Sequence, residues 1–347
     1  MGSRSAPRIG FVGSGVMAGV MIDGLLTKGG FPAERIWAAG PRRERGALLA
    51  ERYGVHTTAD NLEAVAHADI VVLSVKPQIL AKVLRQLRGA IRPQHLVMSI
   101  VAGARMARIG GALAHPAVVR CMPNLPCQIH RGMTIWTATP EVSAASRRRV
   151  RAILRTVGKE IYVPDEIDVD RATAVNGTGP AIIALFVKAL EDAANFIGES
   201  RELARQSVLQ TILGTAEMIL ASQRHVAELI DGVTSPGGTT SRALHVLQQG
   251  RFSAVLTDAI EAAFRRTVEL GNLLDEQVEV VDGRATAAGG GSAAAGAGVP
   301  AAGAAGGVEP AGSAAGTRPA RRAAAAQPPR RTRKTSAPTT AGSSAKS

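Results

Sequence analysis

The sequence predicts an α/β protein with a doubly wound parallel sheet over residues 1–163, an all-helical domain over 164–282 and a disordered tail over 283–347. Three observations lead there. Short apolar runs alternate with helical patterns as far as residue 163, the signature of strands joined by crossover helices. Beyond Pro164 the strand-like runs stop and only helical patterns remain. From residue 285 onward the chain holds 22 Ala, 11 Gly and 6 Pro, with Val299 and Val308 as its only larger apolar side chains. Such a segment buries too little surface to offset the entropy of ordering it.

The elements follow in order. Residues 8–12 read as a buried strand that runs into a glycine-rich turn, and a helix carries Val16, Val20, Ile22 and Leu25 to Gly29-Gly30. Residues 36–39 form a second strand, and a polar helix from Glu44 to Tyr53 stops at Gly54. The continuous apolar run 70–75 fits a parallel strand covered on both faces, and 96–101, 118–121 and 133–136 continue the set. In the second half, helices are expected from Gly179-Pro180 to Gly198 and over 202–221, 226–230, 241–249 and 254–274. Proline at the first of these suits a first helical turn. Their apolar content implies that some faces pack on a second subunit.

Charge and composition exclude several classes. The formal charge is +13, of which +7 falls in residues 285–347 and +6 in the rest. Cys121 and Cys127 cannot build a disulfide framework, and no Cys/His spacing suggests a metal. The seven histidines are scattered without an evident catalytic acid pairing. The longest strongly apolar stretch, 180–187, is far short of the ~20 residues of a membrane span, and the N-terminal residues lack a signal-like apolar core. A cytoplasmic protein with no membrane association is expected.

Three segments carry chemistry. Gly13-Ser14-Gly15-Val16-Met17-Ala18 is a G-x-G-x-x-A sequence between a strand and a helix. Gly13 permits the turn, Gly15 lets backbone approach a pyrophosphate, and Ala18 allows close helix–strand packing, with Val16 and Met17 opening the helix. A bare glycine-rich turn is the alternative; the strand and helix around it favour dinucleotide binding. At the end of the second strand, Gly40-Pro41-Arg42-Arg43 offers two guanidiniums where an NAD site usually has an acid. This favours NADPH, with NADH as the second option and a solvated helix start as the bland one. Val233 to Thr240 includes Ser235, Gly237, Gly238, Thr239 and Thr240 before a helix, which suits either a backbone cradle for a small carboxylate or a capped interhelical turn. Residues 175–181 form a flexible entry to a long helix, and Asn124, after Arg120-Cys121-Met122-Pro123, is placed to bond a nicotinamide amide.

Taken together, residues 9–18, Val75-Lys76-Pro77-Gln78, Arg120–Asn124, Gly177–Ala181 and Val233–Thr240 resemble the pyrroline-5-carboxylate reductase family over residues 8–275. The resemblance implies a Rossmann domain followed by a helical dimerisation domain, with dimers assembled into rings. It implies hydride transfer from NADPH or NADH to the C=N bond of a small cyclic imino acid, 1-pyrroline-5-carboxylate, giving L-proline. It further implies that the Ser235–Thr240 loop holds the carboxylate and that the Thr240 hydroxyl bonds the ring nitrogen. Asn61, Val75, Lys76 and Pro77 would line the cofactor groove, with Asn124 near the nicotinamide. A protonated cyclic imine already accepts hydride readily, so orientation and water exclusion suffice without an obvious acid.

Val16, Asn176 and Ile182 depart from the family's usual asparagine, serine and aromatic residue. They leave open a reductase for a related cyclic imine. A third reading, a non-catalytic nucleic-acid-binding descendant, draws on the basic run Arg318–Lys334. The tail has no aromatics for stacking bases, which weighs against nucleic acid as a partner.

Overall fold

The computed structural model describes residues 6–289, excepting the side chains of 278–289. Its first half is one eight-stranded sheet: β1 (Ile9–Val12), β2 (Ile36–Ala39), β3 (His56–Thr58), β4 (Ile70–Leu73), β5 (Leu96–Ser99), β6 (Val118–Met122), β7 (Gly132–Ala138) and β8 (Gly158–Tyr162). The order across the sheet is β3-β2-β1-β4-β5-β6-β7-β8. Every neighbouring pair is parallel except β6 and β7. The chain leaves β1 to build one side and returns to β4 on the other, so the carboxyl ends of β1 and β4 flank a switch point, where open α/β sheets bind ligands.

Helices cover both faces: α1 (Val16–Thr27), α2 (Arg43–Tyr53), α3 (Asn61–Ala66), α4 (Pro77–Leu87), α5 (Met106–Leu113) and α6 (Ala144–Arg155). Strand alternation splits the core in two. Ile9 and Phe11 face a layer with Ile22, Leu49, Trp136 and Ile153, whereas Val12, Val71 and Leu73 face Leu84, Val97 and Ile109. Each such buried side chain contributes about 1.5–3 kcal/mol by leaving water. Local signals bound the helices: α2 stops, as read, at Gly54 in the left-handed region, and the Ser143 hydroxyl accepts the Ser146 N–H at the start of α6.

The second half is helical: α7 (Glu166–Ala172), a π-turn (Thr173–Gly177), α8 (Gly179–Phe196), α9 (Arg201–Ser222), α10 (Val226–Gly232), α11 (Thr239–Gln249) and α12 (Phe252–Gly289). Among the described residues no strand follows β8. The last helix runs to Gly289, through the boundary expected at residue 282 and well past the expected end at Leu274. Ala285, Ala287 and Ala288 are strong helix formers, which reading the segment only for its apolar content overlooked. The rest of the expected tail, from residue 290, lies outside the described residues.

The described residues belong to one compact unit. The last helix docks on the sheet domain through Leu274, buried with the α4 and α5 side chains, and through Arg105, which donates to Asn272 and pairs with Asp275. Gly103, at φ +75°, lets the chain pass Gly271 closely: a Cβ there would lie 3.1 Å from the Gly271 nitrogen. Contrary to the short apolar stretch expected, residues 166–196, taken through the π-turn, form a helix that is by length and composition apolar enough to cross a membrane, its 18-residue apolar window having a mean hydropathy of 1.3 with 11% of that window buried. The sequence reading broke the stretch at Lys188, which pairs with Asp192 one turn on and so leaves the helix unbroken. Leu185 and Phe196 stand exposed on it at 68% and 90%.

Candidate active site

The glycine-rich turn sits at the switch point. Gly13 holds φ +110°, and a Cβ there would come within 2.7 Å of the Ser74 carbonyl oxygen, so only glycine fits. The Gly13 N–H donates to Ala39 O at 2.9 Å, and the Ser74 hydroxyl donates to Gly13 O at 2.7 Å, tying the turn to β2 and β4. Gly15 precedes α1 without a capping side chain, so the first amides of the helix are left for a ligand. Together with the helix dipole they fit a pyrophosphate. Ala18 is fully buried against the strand, Met17 is half-buried, and Val16 is 62% exposed at the helix mouth.

The other expected cofactor residues gather along the same edge. Arg42 precedes α2 and Arg43 opens it; both are exposed, and neither takes an ion pair among the described residues. Val75 follows β4 and packs toward Gly13, Lys76 caps α4, and Pro77 is its first residue. Asn61 opens α3 beyond the carboxyl end of β3, its amide donating to Gln86 at 2.8 Å. Asn124 follows β6, with its carboxamide engaged by Asn176 and by the Met133 N–H.

Sequence reading missed two residues here. Ser74 was passed over inside an apolar run. Arg45 donates from Nε to Ser14 O at 3.2 Å, and its guanidinium occupies the clearance left by Gly19. The arginine run at residue 42 and the glycine within α1 were its only available signals.

The second expected segment lies between α10 and α11. Gly237 holds φ +72°, and a Cβ on Gly238 would fall 2.4 Å from the Ser235 hydroxyl oxygen, so both glycines serve the turn. The Gly238 N–H donates to Ser235 O at 3.1 Å, and α11 starts at Thr239 with no capping side chain. The amides of Thr239 and Thr240 therefore open toward solvent, and the half-buried Thr240 hydroxyl has no partner among the described residues. The arrangement offers an anion cradle beside a hydroxyl. None of the hydrogen bonds among the described residues joins this loop to the dinucleotide cradle of the same chain.

Burial pushes the Cys121 and Cys127 thiols up, so they are inert at neutral pH. One histidine pairs with an acid in a structural role. His130 Nε2 lies 3.0 Å from Asp23 and Nδ1 3.1 Å from Thr156 O, pinning the turn after β6 against α1 and the end of α6.

Comparison with known proteins agrees with this geometry. Residues 8–103 match the family described as NADP oxidoreductase, coenzyme F420-dependent, and residues 166–270 match pyrroline-5-carboxylate reductase dimerisation. The second match spans the exposed apolar helix 166–196, whose face is that of a self-associating domain. Pyrroline-5-carboxylate reductase of Pseudomonas aeruginosa is 42% identical over 273 residues, covering 78% of this chain and 100% of that protein. Human pyrroline-5-carboxylate reductase 2 is 33% identical, covering 78% of this chain and 85% of its own. A solved pyrroline-5-carboxylate reductase from Coxiella burnetii superposes with a TM-score of 0.70 at 35% identity, covering 76% of this chain and 98% of that one. A Plasmodium falciparum pyrroline carboxylate reductase structure with NADP bound gives 0.70 at 31% identity with the same coverage. With identity at this level running across both the sheet domain and the helical domain, the chain belongs to the pyrroline-5-carboxylate reductase family.

Proposed function

We propose that the protein reduces 1-pyrroline-5-carboxylate to L-proline with NADPH, the last step of proline biosynthesis. One observation carries the reading: an uncapped dinucleotide cradle at the β1/β4 switch point and an uncapped Gly237-Gly238 helix entry occur in one chain of this family. Bound NADPH supplies the hydride, which adds to the imine carbon while the nitrogen carries the proton taken from water. The chain's own residues place the partners. Gly13, Gly15 and the first amides of α1 hold the pyrophosphate, with Val16 and Met17 at the helix mouth and Ala18 beneath. Arg42 and Arg43 grip the 2′-phosphate, while Asn61, Val75, Lys76 and Pro77 wall the groove. NADH would lack the 2′-phosphate grip and serve less well.

Ser235, Gly237, Gly238 and Thr239 hold the substrate carboxylate on backbone amides, and Thr240 bonds the ring nitrogen, orienting the C=N bond. Since residues 166–270 match a dimerisation domain and no hydrogen bond among the described residues ties this loop to its own cradle, the proposed working unit is a dimer in which the partner completes the site. Assembly of dimers into a ring and a cytoplasmic location belong to the same reading.

The test is oxidation of NADPH with 1-pyrroline-5-carboxylate and identification of proline as product, for wild type and Thr240→Ala. Turnover that falls at least tenfold in the folded variant supports the assignment. A wild-type enzyme that binds NADPH yet leaves this imine untouched overturns it.

A further inference from the structure

The π-turn Thr173–Gly177 interrupts what is otherwise one long helix between the sheet domain and α8. A π-turn inserts a residue and re-aims a side chain, and such turns recur at functional sites. Here it aims Asn176 at the turn after β6. Its Nδ2 donates to two carbonyls, Met133 O at 3.0 Å and Met122 O at 3.3 Å. Both of its N–H groups are then used, so its Oδ1 must face the other way, where it accepts from Asn124 Nδ2 at 2.7 Å. Asn124 Oδ1 in turn accepts the Met133 N–H at 2.9 Å. Flipping either carboxamide would set an N–H against an N–H or an oxygen against a carbonyl, so a single orientation satisfies the whole set. Gly177 keeps the contact close: a Cβ there would meet Met122 Cε at 3.0 Å.

A carboxamide carries two N–H groups. Asn124 spends one on Asn176 and has one left, at the carboxyl end of β6 on the same sheet edge as the dinucleotide cradle. We propose that Asn176 is a positioning residue for hydride transfer: it locks Asn124 so that the remaining N–H is held toward the carboxamide oxygen of the bound nicotinamide. The inference rests on the reading of the chain as an NADPH-linked imine reductase. Serine at position 176 is too short to hold both carbonyls and Asn124 together. The lock also ties the π-turn ahead of α8, in the self-associating half, to the turn after β6.

The test uses the full-length protein, wild type, Asn176→Ser and Asn176→Ala, checked for fold and self-association. Titration with NADPH alone gives its dissociation constant and the emission anisotropy of the bound nicotinamide, neither of which needs turnover. Steady-state rates with 1-pyrroline-5-carboxylate then give kcat and its isotope effect when the transferred hydrogen is deuterium. The expected result is a dissociation constant within about twofold, since the phosphate anchors are intact, with lower nicotinamide anisotropy. The expected fall in kcat is about tenfold or more, with a larger isotope effect as hydride transfer becomes limiting. Asn124→Ala should reproduce this, and the double variant should be no worse than Asn124→Ala alone. Unchanged anisotropy in both folded variants overturns the proposal, as does a fall in kcat that follows only a weakened affinity for NADPH. If wild type itself fails on this imine, the substrate reading fails, and the anisotropy comparison still decides the role of Asn176.

Discussion

Gly19 and Arg45 fit together across α1 and α2: a Cβ on Gly19 would lie 2.9 Å from Arg45 Nη2, while Arg45 Nε donates to the Ser14 carbonyl at 3.2 Å. The missing side chain on one helix thus makes room for a guanidinium that holds the dinucleotide turn. Gly19→Ala pushes only the flexible end of Arg45 away and adds about 1 kcal/mol of helix propensity to α1. The variant should melt no lower than wild type yet show a KM for NADPH raised about three- to tenfold, with kcat within twofold. Arg45→Ala should match it in KM. A Gly19→Ala enzyme with unaltered KM would show that the Arg45–Ser14 contact does not shape the cradle.

Arg42 and Arg43 have no ion-pair partners among the described residues and stand at the carboxyl end of β2. A guanidinium free of internal partners can grip a phosphate in a paired, charge-assisted contact. Replacing both with alanine should raise KM for NADPH about tenfold or more and leave KM for NADH within about twofold. Equal effects on the two cofactors would mean that these arginines form only a solvated face.

What the sequence made legible was local. The G-x-G-x-x-A turn and the Ser235–Thr240 loop each carry their chemistry within six or seven residues, and the structure shows the backbone their glycines require. The strand β3 escaped notice because it is three residues long and two of them are threonines, and β8 because its residues alternate toward solvent. The Asn124–Asn176 pair joins residues 52 apart through a π-turn that no periodicity announces. Gly19–Arg45 depends likewise on how two helices cross. The departure at Asn176 was visible as a substitution; its three hydrogen-bond partners, Asn124, Met122 and Met133, were not.

Arg120 is 1% exposed and pairs with Glu166, at 3.0 Å, and with Asp170, while Glu166 also accepts the Met106 N–H at 2.8 Å. The triad joins β6 to α7 and α5, immediately before the turn that carries Asn124. Removing Asp170 leaves Glu166 as the carboxylate partner of Arg120 but strands a buried N–H of the guanidinium, which costs about 1–3 kcal/mol. Asp170→Ala should therefore lower the urea midpoint sharply. Arg120 Nε has no partner even in the native arrangement, so replacing the triad together by Arg120→Met, Glu166→Gln and Asp170→Leu should recover most of the loss. A recovery of nothing would assign the loss to packing around Asp170.

His95 is 2% exposed beneath β5, and burial, then the Arg92 guanidinium and His115, pull its pKa down to about 4. The Arg92 backbone N and Nε lie 3.1 and 2.9 Å from the two ring nitrogens, of which the neutral imidazole accepts at one; Asp69 opposes the shift and Arg8 adds to it. Burial lowers His115 in the same direction. Above pH ~6.5 the imidazole is neutral in both states and pH has no purchase. As pH falls toward 4 the unfolded chain binds a proton that folded His95 refuses, so stability drops, and it levels off once the folded form also titrates. Between pH 7 and 5, a window chosen to stay above most carboxylate titration, His95 should cost about 1–2 kcal/mol. Urea midpoints across that range should fall for wild type and fall less for His95→Gln, which keeps a polar side chain but cannot take the proton. Parallel slopes for the two proteins would place the acid sensitivity elsewhere in the sheet domain.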